Sequence, residues 1–598
     1  MENKVSRAEF IKLGGLTLLS AFTSDLAFAG GIPFTDKSTK MDSVLMEKLL
    51  LYNDLEAEKI LNGNALEGID KLSNFRFLAG HISIMSAAIG HGASKYYKSK
   101  LLEEKIDDYL NGMLNVQYDD GTLDAGGNRQ SPPDTAFVLE YMCAAATILN
   151  SKNLKKFHVL RDKLKKFIVN AGEAMVTGGV HTPNHRWVVC AALANINSLY
   201  PNEKYVHRID EWLAEGIYLN KDGHYSERSG VYSAVINKAF ITMARLLNRP
   251  ELLDNVNKNL ITYYYHTETN GDMISVESRR QDQFMDLTIT KFYMQYRYMA
   301  ILTENPMFAY MVKVIENLPD FKGTILSKDL AFFMENEALK EQITVDAEIV
   351  NDFEKFFTLS NLARIRRGNK SITLFGGNDK PVMIVSGRSS NPNFLMYRKG
   401  EAILKYMRLS TSFFRMGYFS SEGITKDGNK YVLKETKVAD YYQPLALEYR
   451  KEDGDYELSP SLDGRFWNKM NFGSRTKSNV KEQNVIIEIK EHGGVLDLEF
   501  NVDGPPNVEV TIEMCFKEGS QFTGGEKDVN GNYLLKSGFG ELKMGSDSIK
   551  IGPGKTEHTN VDLLDSEEYT YHQGSLRTDG VHVYITGFTP FQHKMTIS

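Results

Sequence analysis

The sequence predicts a multidomain α and β protein, in which an N-terminal (α/α) helical toroid is followed by a large antiparallel β-sandwich. Two observations support this prediction. From about residue 41 to 319 the chain reads as helical, and apolar helix starts recur roughly every 48 residues. After about residue 360, apolar and polar residues alternate between Asp-Gly and Asn-Gly turns. The expected divisions are a signal peptide over 1–29, the toroid over 30–340 and the sandwich over 341–598.

Length and composition narrow the class of protein. The 598 residues are 42% hydrophobic and 25% charged, which is typical of a globular chain and excludes disorder, collagen or coiled coil as the main state. A net charge of −7 argues against a general nucleic-acid binder. It is compatible with an acidic ligand, because a cleft can be locally positive on a negative protein. No apolar run has the length of about 20 residues that a membrane span needs.

The first thirty residues resemble an export signal. Lys4, Arg7 and Lys12 give a basic start, residues 13–22 are mostly apolar, and Ala27-Phe28-Ala29 fits a small-residue cleavage site. A frayed N-terminal helix is the alternative. The three cysteines lie far apart, so neither a disulfide framework nor a thiolate metal site is indicated. We expect a periplasmic or secreted protein.

The helical half is typical of repeated hairpins. Asp134 can cap a helix that follows two prolines and is apolar on all sides, which predicts a buried helix. Similar starts are predicted near Asn184, Gly230 and Ser278, each after a polar or glycine-bearing loop. If the hairpins close into a ring, the four loops meet at one mouth; an irregular bundle is the alternative.

The second half is typical of β-structure. Residues 508–516 alternate apolar with polar, which predicts a half-buried strand, and 485–490 and 583–588 behave similarly. Tight-turn pairs such as Asp427-Gly428 separate the strands. Many strands with little helix predict a large antiparallel sandwich.

Three of the mouth loops carry the candidate catalytic residues. Asn184 and His185 stand at a helix start, where side-chain donors and the helix dipole favour a carboxylate. Tyr232 follows one hairpin later. Arg279 and Arg280 stand at the fourth predicted helix start, where cations are disfavoured, and this conflict hints at an anionic ligand. A helix cap, a core tyrosine and a solvated charge run are the respective alternatives.

Other residues of these loops suit a sugar. The loop over 124–131 offers amide and cationic donors for hydroxyl groups, and an indole beside Asn184 can stack on a ring, although helix aromatics are more often core. Glycine-rich phosphate loops and nucleophile elbows are absent from the sequence. The candidate substrate-binding residues are Asn128, Arg129, Trp187, Glu227, Arg228 and Arg279.

The order of parts resembles the toroid-plus-β-sandwich polysaccharide lyases, which include heparinase II/III-like enzymes, alginate lyases and hyaluronate and chondroitin lyases. Asp222-Gly223, Glu227, Ser229 and Tyr232 are similar to the D-G-x-x-x-E-x-S-x-x-Y run of heparinase III-like enzymes. The arginines after residues 273–275 resemble a segment of the hyaluronate and chondroitin group. A histidine of that group, expected near Arg228, is missing here.

This resemblance implies cleavage of a uronate-containing glycan by β-elimination. The Asn-His pair and Arg280 would neutralise the uronate carboxylate, and the tyrosine would transfer the proton. No cofactor is required; a structural metal ion is compatible with the family, but the sequence spells out no ligand set. The expected partner is an acidic polysaccharide or oligosaccharide.

The resemblance leaves the second proton carrier open. It would come from the sandwich, but no motif selects it, and syn or anti elimination depends on it. The candidates are Tyr406, Tyr441 and Tyr442, and the later histidines are His492, His558, His572, His582 and His593.

The elimination needs these residue types. The C5 proton of a uronate is weakly acidic while the adjacent carboxylate is negative, so donors must stabilise the charge that develops on it. Tyrosine, whose ordinary pKa is about 10, needs nearby cations to act as a base, and Arg228 or His185 would supply them.

Two other functions are compatible with the sequence. One is an α/α-toroid glycoside hydrolase or unsaturated uronyl hydrolase, which would use paired carboxylates from Asp222, Glu227 and Asp282. The other is a non-catalytic glycan-binding protein. The specific uronate and exo or endo action are left open.

Overall fold

The computed structural model describes residues 40–67, 75–377, 391–414, 416–460, 467–559, 561 and 579–598. The predicted signal peptide lies outside the described residues. Among the described helices, none combines the length and apolarity required to cross a membrane.

The N-terminal half is helical. Even-numbered helices α2, α4, α6, α8 and α10 pack side by side, and the odd-numbered α3, α5 and α7 pack outside them. The helices are α1 Ser43–Asn62, α2 Arg76–Gly90, α3 Lys100–Val116, α4 Pro132–Leu149, α5 His158–Thr177, α6 Pro183–Leu199, α7 Glu203–Ala214, α8 Gly230–Leu246, α9 Leu253–Tyr265, α10 Tyr293–Thr303, α11 Pro306–Glu316 and α12 Leu330–Glu335.

Three of the four predicted helix starts are correct to within two residues. The helix predicted near Asp134 begins at Pro132, and Ser131 rather than Asp134 caps it, because the serine hydroxyl accepts from the Asp134 N–H. Helices α6 and α8 begin at Pro183 and Gly230. Pro132 and Pro183 fit the first helical turn, because a backbone N–H at that position would have no partner within the helix.

The fourth start, predicted at Ser278, is wrong. Arg280 has an extended backbone (φ −123°, ψ 176°), and only two short 3-10 turns precede α10. A helix does not start here because the two neighbouring arginines would lie at the positive end of its dipole, which is the conflict already visible in the sequence. Instead, the Ser278 hydroxyl donates to the Asp282 carboxylate and closes a local loop.

The C-terminal half is built from strands. In the described residues they form two large sheets and one short hairpin, and a second short hairpin over 123–131 lies in the helical half. The strands are β1 Leu123–Ala125, β2 Asn128–Ser131, β3 Asp352–Phe357, β4 Leu362–Arg367, β5 Lys370–Phe375, β6 Leu395–Lys399, β7 Ala402–Thr411, β8 Ile424–Asp427, β9 Lys430–Tyr442, β10 Ser459–Pro460, β11 Trp467–Asn468, β12 Lys477–His492, β13 Val495–Asp503, β14 Glu509–Phe516, β15 Gln521–Thr523, β16 Glu526–Lys527, β17 Tyr533–Leu534, β18 Gly540–Met544, β19 Asp547–Gly552, β20 Val581–Phe588 and β21 Phe591–Ile597.

The sandwich has an eight-stranded sheet in the order β15-β18-β19-β21-β13-β12-β9-β8 and a nine-stranded sheet in the order β16-β17-β20-β14-β7-β6-β5-β4-β3. All described pairings are antiparallel except β17 with β20. A single apolar cluster, to which both sheets contribute, forms the core. The predicted fold class, a helical toroid followed by an antiparallel β-sandwich, is confirmed.

One strand differs from its prediction. The alternation in β14 predicts a half-buried strand, but Thr511, Glu513 and Cys515 on its polar face are buried as well. The reason is that neighbouring strands of the same sheet supply polar partners, since the Tyr406 hydroxyl donates to Glu513 at 3.1 Å.

Polar contacts join the toroid to the nine-stranded sheet. Arg364 on β4 lies 2.9 Å from the Glu268 carboxylate of the toroid, and the Ser371 hydroxyl donates to the same carboxylate at 2.7 Å. Ile274 and Val276 of the toroid pack with Phe357 of β3 in a small apolar cluster. The loops of this side of the toroid are therefore held against the sandwich.

Candidate functional site

Tyr232 lies in the first turn of α8, with its phenol oxygen between two donors. Gln281 Nε2 donates to this oxygen at 3.1 Å, and Arg280 Nη2 donates at 3.4 Å. The Arg280 guanidinium also lies 4.8 Å from the centre of the tyrosine ring. Both donors favour negative charge on the phenol oxygen.

Glu227 connects Arg280 to Asn184. Its carboxylate accepts from the Asn184 side-chain amide at 2.9 and 3.1 Å and lies 3.4 Å from Arg280 Nη1. Burial raises the pKa of the Glu227 carboxyl, while the Asn184 hydrogen bonds and the Arg280 charge oppose that rise. Asn184, Arg280 and Tyr232, which come from three separate loops, therefore belong to one hydrogen-bonded network.

The Glu227 carboxylate also caps the N-terminus of α6, although it lies 43 residues away in the sequence. The Asn184 backbone N–H, in the first turn of α6, donates to Glu227 Oε2 at 3.0 Å. Thr182, the residue before the helix, makes no side-chain capping bond. A carboxylate at a helix N-terminus is favourable because it meets unpaired N–H groups and the positive end of the dipole.

Both amide hydrogens of Asn184 are used inside the protein. The side-chain nitrogen donates to Glu227 and, at 3.2 Å, to the Thr182 hydroxyl, and the residue is fully buried. The amide hydrogens that the sequence prediction assigns to a ligand are therefore already donated to Glu227 and Thr182. Its network places Arg280 instead, whose side chain is 27% exposed.

A buried aspartate holds the two segments that carry Tyr232 and Arg280. Asp282 accepts from the Ser229 hydroxyl at 2.8 Å and from the Ser278 hydroxyl. Ser229 also caps α8, because its side chain accepts from the Tyr232 N–H. The loop before α8 is thereby fixed to residues 277–282, which contain Arg279 and Arg280 and are called the arginine segment below.

His185 is half-buried beside the network. Burial, together with the smaller effects of the His181 and Arg280 charges, lowers the pKa of His185 to about 4, so the imidazole is neutral near pH 7. It is a hydrogen-bond donor or acceptor rather than the cation that the sequence argument required beside Tyr232. Arg280 supplies that cation.

Asn128 and Arg129 lie exposed on β2. Asn128 donates to Asp134 at 2.9 Å, and Arg129 pairs with Asp124 at 2.8 Å. Arg76 donates to the same Asp134 at 2.6 Å. This cationic and amide-bearing patch belongs to the start of α4, and an aromatic contact of its Phe137 with His185, 6.2 Å between ring centres, links it to α6.

Two of the predicted binding residues, Trp187 and Arg228, are buried inside the protein. Trp187 is 3% exposed and packs against Phe240 in the core, so the expected sugar stacking is not available to it. Arg228 is buried and donates to the Glu277 carbonyl at 2.8 Å and to the Leu359 carbonyl at 3.4 Å. Arg228 therefore joins the toroid to the sandwich. Arg279 is exposed.

The acidic side chains needed by a glycosidase are engaged elsewhere. Asp222 accepts from the Leu359 and Ser360 N–H groups at 2.8 and 2.9 Å. Asp282 and Glu227 are both buried and hold the network. None of these three has the arrangement of an acid facing a base across an open cleft.

The candidates for a second proton carrier are dispersed. Tyr406 is buried between Glu513 and His582, and Tyr441 is exposed and contacts Phe414. Tyr442 donates to Asp440. The remaining histidines are placed at an exposed pair with Asp497 (His492), at backbone carbonyls (His558 and His593) and outside the described residues (His572). The contacts described for these residues do not include the Tyr232 network.

Sequence reasoning missed Gln281 and Arg76. Gln281 stands next to Arg280, and only the tertiary contact with Tyr232 distinguishes it from an ordinary loop residue. Arg76 belongs to a helix far from the other loops in sequence, and no motif surrounds it.

Comparisons with known proteins support the fold. A chondroitin AC lyase from Streptomyces coelicolor A3, solved in complex with chondroitin sulphate, matches with a TM-score of 0.57 and 11% identity over 93% of this chain and 82% of that chain. A xanthan lyase from Paenibacillus matches with a TM-score of 0.56 and 9% identity over 93% of this chain and 57% of that chain. No family model and no curated protein matches the sequence. At these identities the likeness shows a shared fold, and the resemblance to toroid-plus-sandwich polysaccharide lyases is confirmed at that level.

Proposed function

We propose that this protein is a polysaccharide lyase that cleaves a uronate-containing glycan by β-elimination, with Tyr232 as the proton-transfer residue. The observation that carries the proposal is the phenol oxygen of Tyr232 held between Arg280 and Gln281. The named activities of the two structural neighbours, a chondroitin lyase and a xanthan lyase, support the same reaction class.

The reaction breaks two bonds at neighbouring carbons. The Tyr232 phenolate takes the C5 proton, the C5–H electron pair forms the C4–C5 double bond, and the C4–O4 bond breaks towards oxygen. The departing oxygen takes a proton, from Tyr232 in a syn elimination or from another group in an anti elimination. Water is not consumed.

Arg280 has two tasks in this proposal. Its donation to the phenol oxygen stabilises the phenolate before the reaction, and its partly exposed side chain is placed to meet the uronate carboxylate. The neutral imidazole of His185 supplies a further hydrogen bond to that carboxylate but no charge. Asn184 and Glu227 act through Arg280 as positioning residues.

We assign the exposed patch of Asn128 and Arg129 to the hydroxyl and acidic groups of the glycan. Arg279, which is also exposed, extends the positive charge beside Arg280. The substrate is therefore an acidic polysaccharide or oligosaccharide, and we place its turnover in the periplasm or outside the cell, in keeping with the basic-apolar N-terminus.

The test is an absorbance assay of purified protein on a panel of uronate polysaccharides, since the product carries a conjugated double bond. Tyr232→Phe is expected to lower the rate by about 10²- to 10⁴-fold, the usual contribution of a general base. The variant removes one partly buried oxygen and should keep its thermal midpoint.

Tyr218→Phe is the matched control, because Tyr218 is 61% exposed on the same half of the chain. It should retain full activity. Unchanged activity of Tyr232→Phe would refute the role of the phenol. Absence of unsaturated product on every glycan, together with binding to one of them, would instead favour a glycan-binding protein.

A further inference from the structure

A second cluster of polar side chains involves the same two loops that carry Glu227 and Arg280. It contains His224 from the loop before α8, His266 after the end of α9, and Glu277 from the arginine segment. His224 and His266 are fully buried and Glu277 is 2% exposed. One ligand atom from each residue lies within 4.8 Å of the other two.

The hydrogen bonds of these residues leave their ligand atoms available. His266 Nδ1 donates to the Thr262 carbonyl at 2.9 Å, which turns Nε2 towards Glu277. Nε2 lies 3.2 Å from Glu277 Oε1, in an orientation that forms no hydrogen bond. Both ring nitrogens of His224 and Oε2 of Glu277 have no hydrogen-bond partner among the described residues.

Such a cluster is costly without a ligand. Buried polar atoms are normally paired, and leaving one unpaired costs about 1–3 kcal/mol. Here each of the three residues carries at least one such atom, and one ligand atom from each lies within 4.8 Å of the other two. A divalent cation would satisfy them together and would balance the buried carboxylate.

The backbone around the cluster is rigid. The His224 N–H donates to Asn220 at 2.9 Å, and the His266 carbonyl accepts from the Ile274 N–H at 2.7 Å. Phe357 from the sandwich packs edge-on against His266, with ring centres 4.6 Å apart. The three side chains are therefore held towards one another by contacts that do not depend on a ligand.

We propose that His224, His266 and Glu277 form a zinc site. Two imidazole nitrogens and one carboxylate oxygen are a ligand set that zinc binds at about 2.0–2.2 Å, with a fourth position for water. Magnesium and calcium prefer all-oxygen sites, so the two histidines argue against them. The position differs from the β-sandwich, because all three ligands come from the toroid.

The site joins the two halves of the Tyr232 network. His224 precedes Glu227 by three residues, and Glu277 precedes Arg280 by three. A zinc ion bound here would hold together the loop that carries Glu227 and the loop that carries Arg280. Its presence can be established without any assay of the proposed lyase activity.

The experiment uses the full chain purified without a histidine tag, stripped with a chelator and reloaded with ZnCl₂. Elemental analysis is expected to give about one zinc per chain, the stoichiometry of a single three-ligand site. Reloading with Co²⁺ should give the visible absorption of a four-coordinate nitrogen–oxygen site. Zinc should raise the thermal midpoint, because a ligand that binds the folded state stabilises it.

His224→Gln and Glu277→Gln are expected to weaken zinc binding by more than about tenfold. The reason is that loss of a direct metal ligand weakens binding at least as much as loss of a residue that hydrogen-bonds to a ligand. His81→Gln is the matched control, because His81 also has a buried ring nitrogen without a partner but lies on α2. It should bind zinc like the wild type.

Two results would overturn the proposal. One is a folded wild-type chain that takes up neither zinc nor cobalt. The other is unchanged zinc uptake in both ligand variants. If the variants do not fold, the cobalt spectrum and the chelator-dependent thermal midpoint of the wild type decide the matter.

Discussion

Two arginine–glutamate pairs in this protein have opposite characters. Arg364 and Glu268, at the junction with the sandwich, lie 2.9 Å apart with side chains 0% and 6% exposed. Arg280 and Glu227, in the candidate site, lie 3.4 Å apart with side chains 27% and 5% exposed. We call the first the closed pair, because solvent hardly reaches it, and the second the open pair, because its guanidinium is partly exposed.

The electrostatics of the two glutamates differ in the same way. Burial opposes ionisation of Glu268, but the charges of Arg364 and Arg398 hold its pKa at about 2. Burial dominates at Glu227 and raises its pKa, because only Arg280 and Asn184 compensate. The closed pair is surrounded by further partners, Ser371 at Glu268 and Thr373 at Arg364, whereas Arg280 of the open pair keeps a partly exposed guanidinium.

The largest effect is expected from breaking the closed pair. Glu268→Ala leaves Arg364 buried beside Ser371 without a carboxylate, and removing one partner of a buried pair costs about 3–5 kcal/mol. Urea unfolding should show this loss. Glu499→Ala is the control, since its pair with Lys594 is exposed and should change stability by at most about 1 kcal/mol. Equal stability of Glu268→Ala and the wild type would remove the distinction between the two pairs.

The pH dependence of stability should have opposite signs for the two glutamates. At Glu268 the unfolded chain binds the proton more tightly than the folded one, so its contribution is present above about pH 4.5 and is lost as pH falls towards 2. This contribution is on the order of 3 kcal/mol. At Glu227 the folded chain binds the proton more tightly, so its contribution is lost as pH rises through the raised pKa.

Urea unfolding of the wild type and the two Gln variants between pH 2 and 7 tests this comparison. Glu268→Gln should flatten the acidic limb, and Glu227→Gln should remove a small opposing slope. The same slope change in both variants would show that the two carboxyls do not differ in the way described.

The smallest effect is expected at the open pair. Glu227→Gln keeps an acceptor for Asn184 but removes the charge that orients Arg280, so the proposed lyase rate should fall about tenfold, or about 1.4 kcal/mol. The thermal midpoint should change little. Glu215→Gln, a half-exposed partner of Arg186, should leave the rate unchanged. A fall in thermal midpoint without a fall in rate would assign Glu227 to the fold rather than to the site.

Helix starts show how far local sequence predicts this fold. The starts near Asp134, Asn184 and Gly230 follow from proline, serine and apolar residues in sequence, and they are correct because those signals act within one turn. The start at Ser278 is wrong because the apolar periodicity there competes with a side-chain contact from Asp282 and with two arginines that oppose the dipole.

The candidate site shows the limit of the same reasoning. The sequence selects Tyr232, Arg280 and Asn184, and these three do share a network. It cannot assign their partners, since Glu227 reaches Asn184 across 43 positions of the chain and Tyr232 meets Gln281 across 49. The sequence likewise predicts a ligand contact for Trp187, which is buried, because buried and exposed aromatic residues share one local pattern.

The sequence alone determined the two-part architecture, the positions of most inner helices and the loops that carry the candidate site residues, because periodicity and capping depend on neighbouring residues. Only the tertiary structure decided which donors are consumed inside the protein and which remain for a ligand. It also brought His224, His266 and Glu277 together from three loops. Burial and long-range hydrogen bonds control both outcomes, and neither has a local signature in the chain.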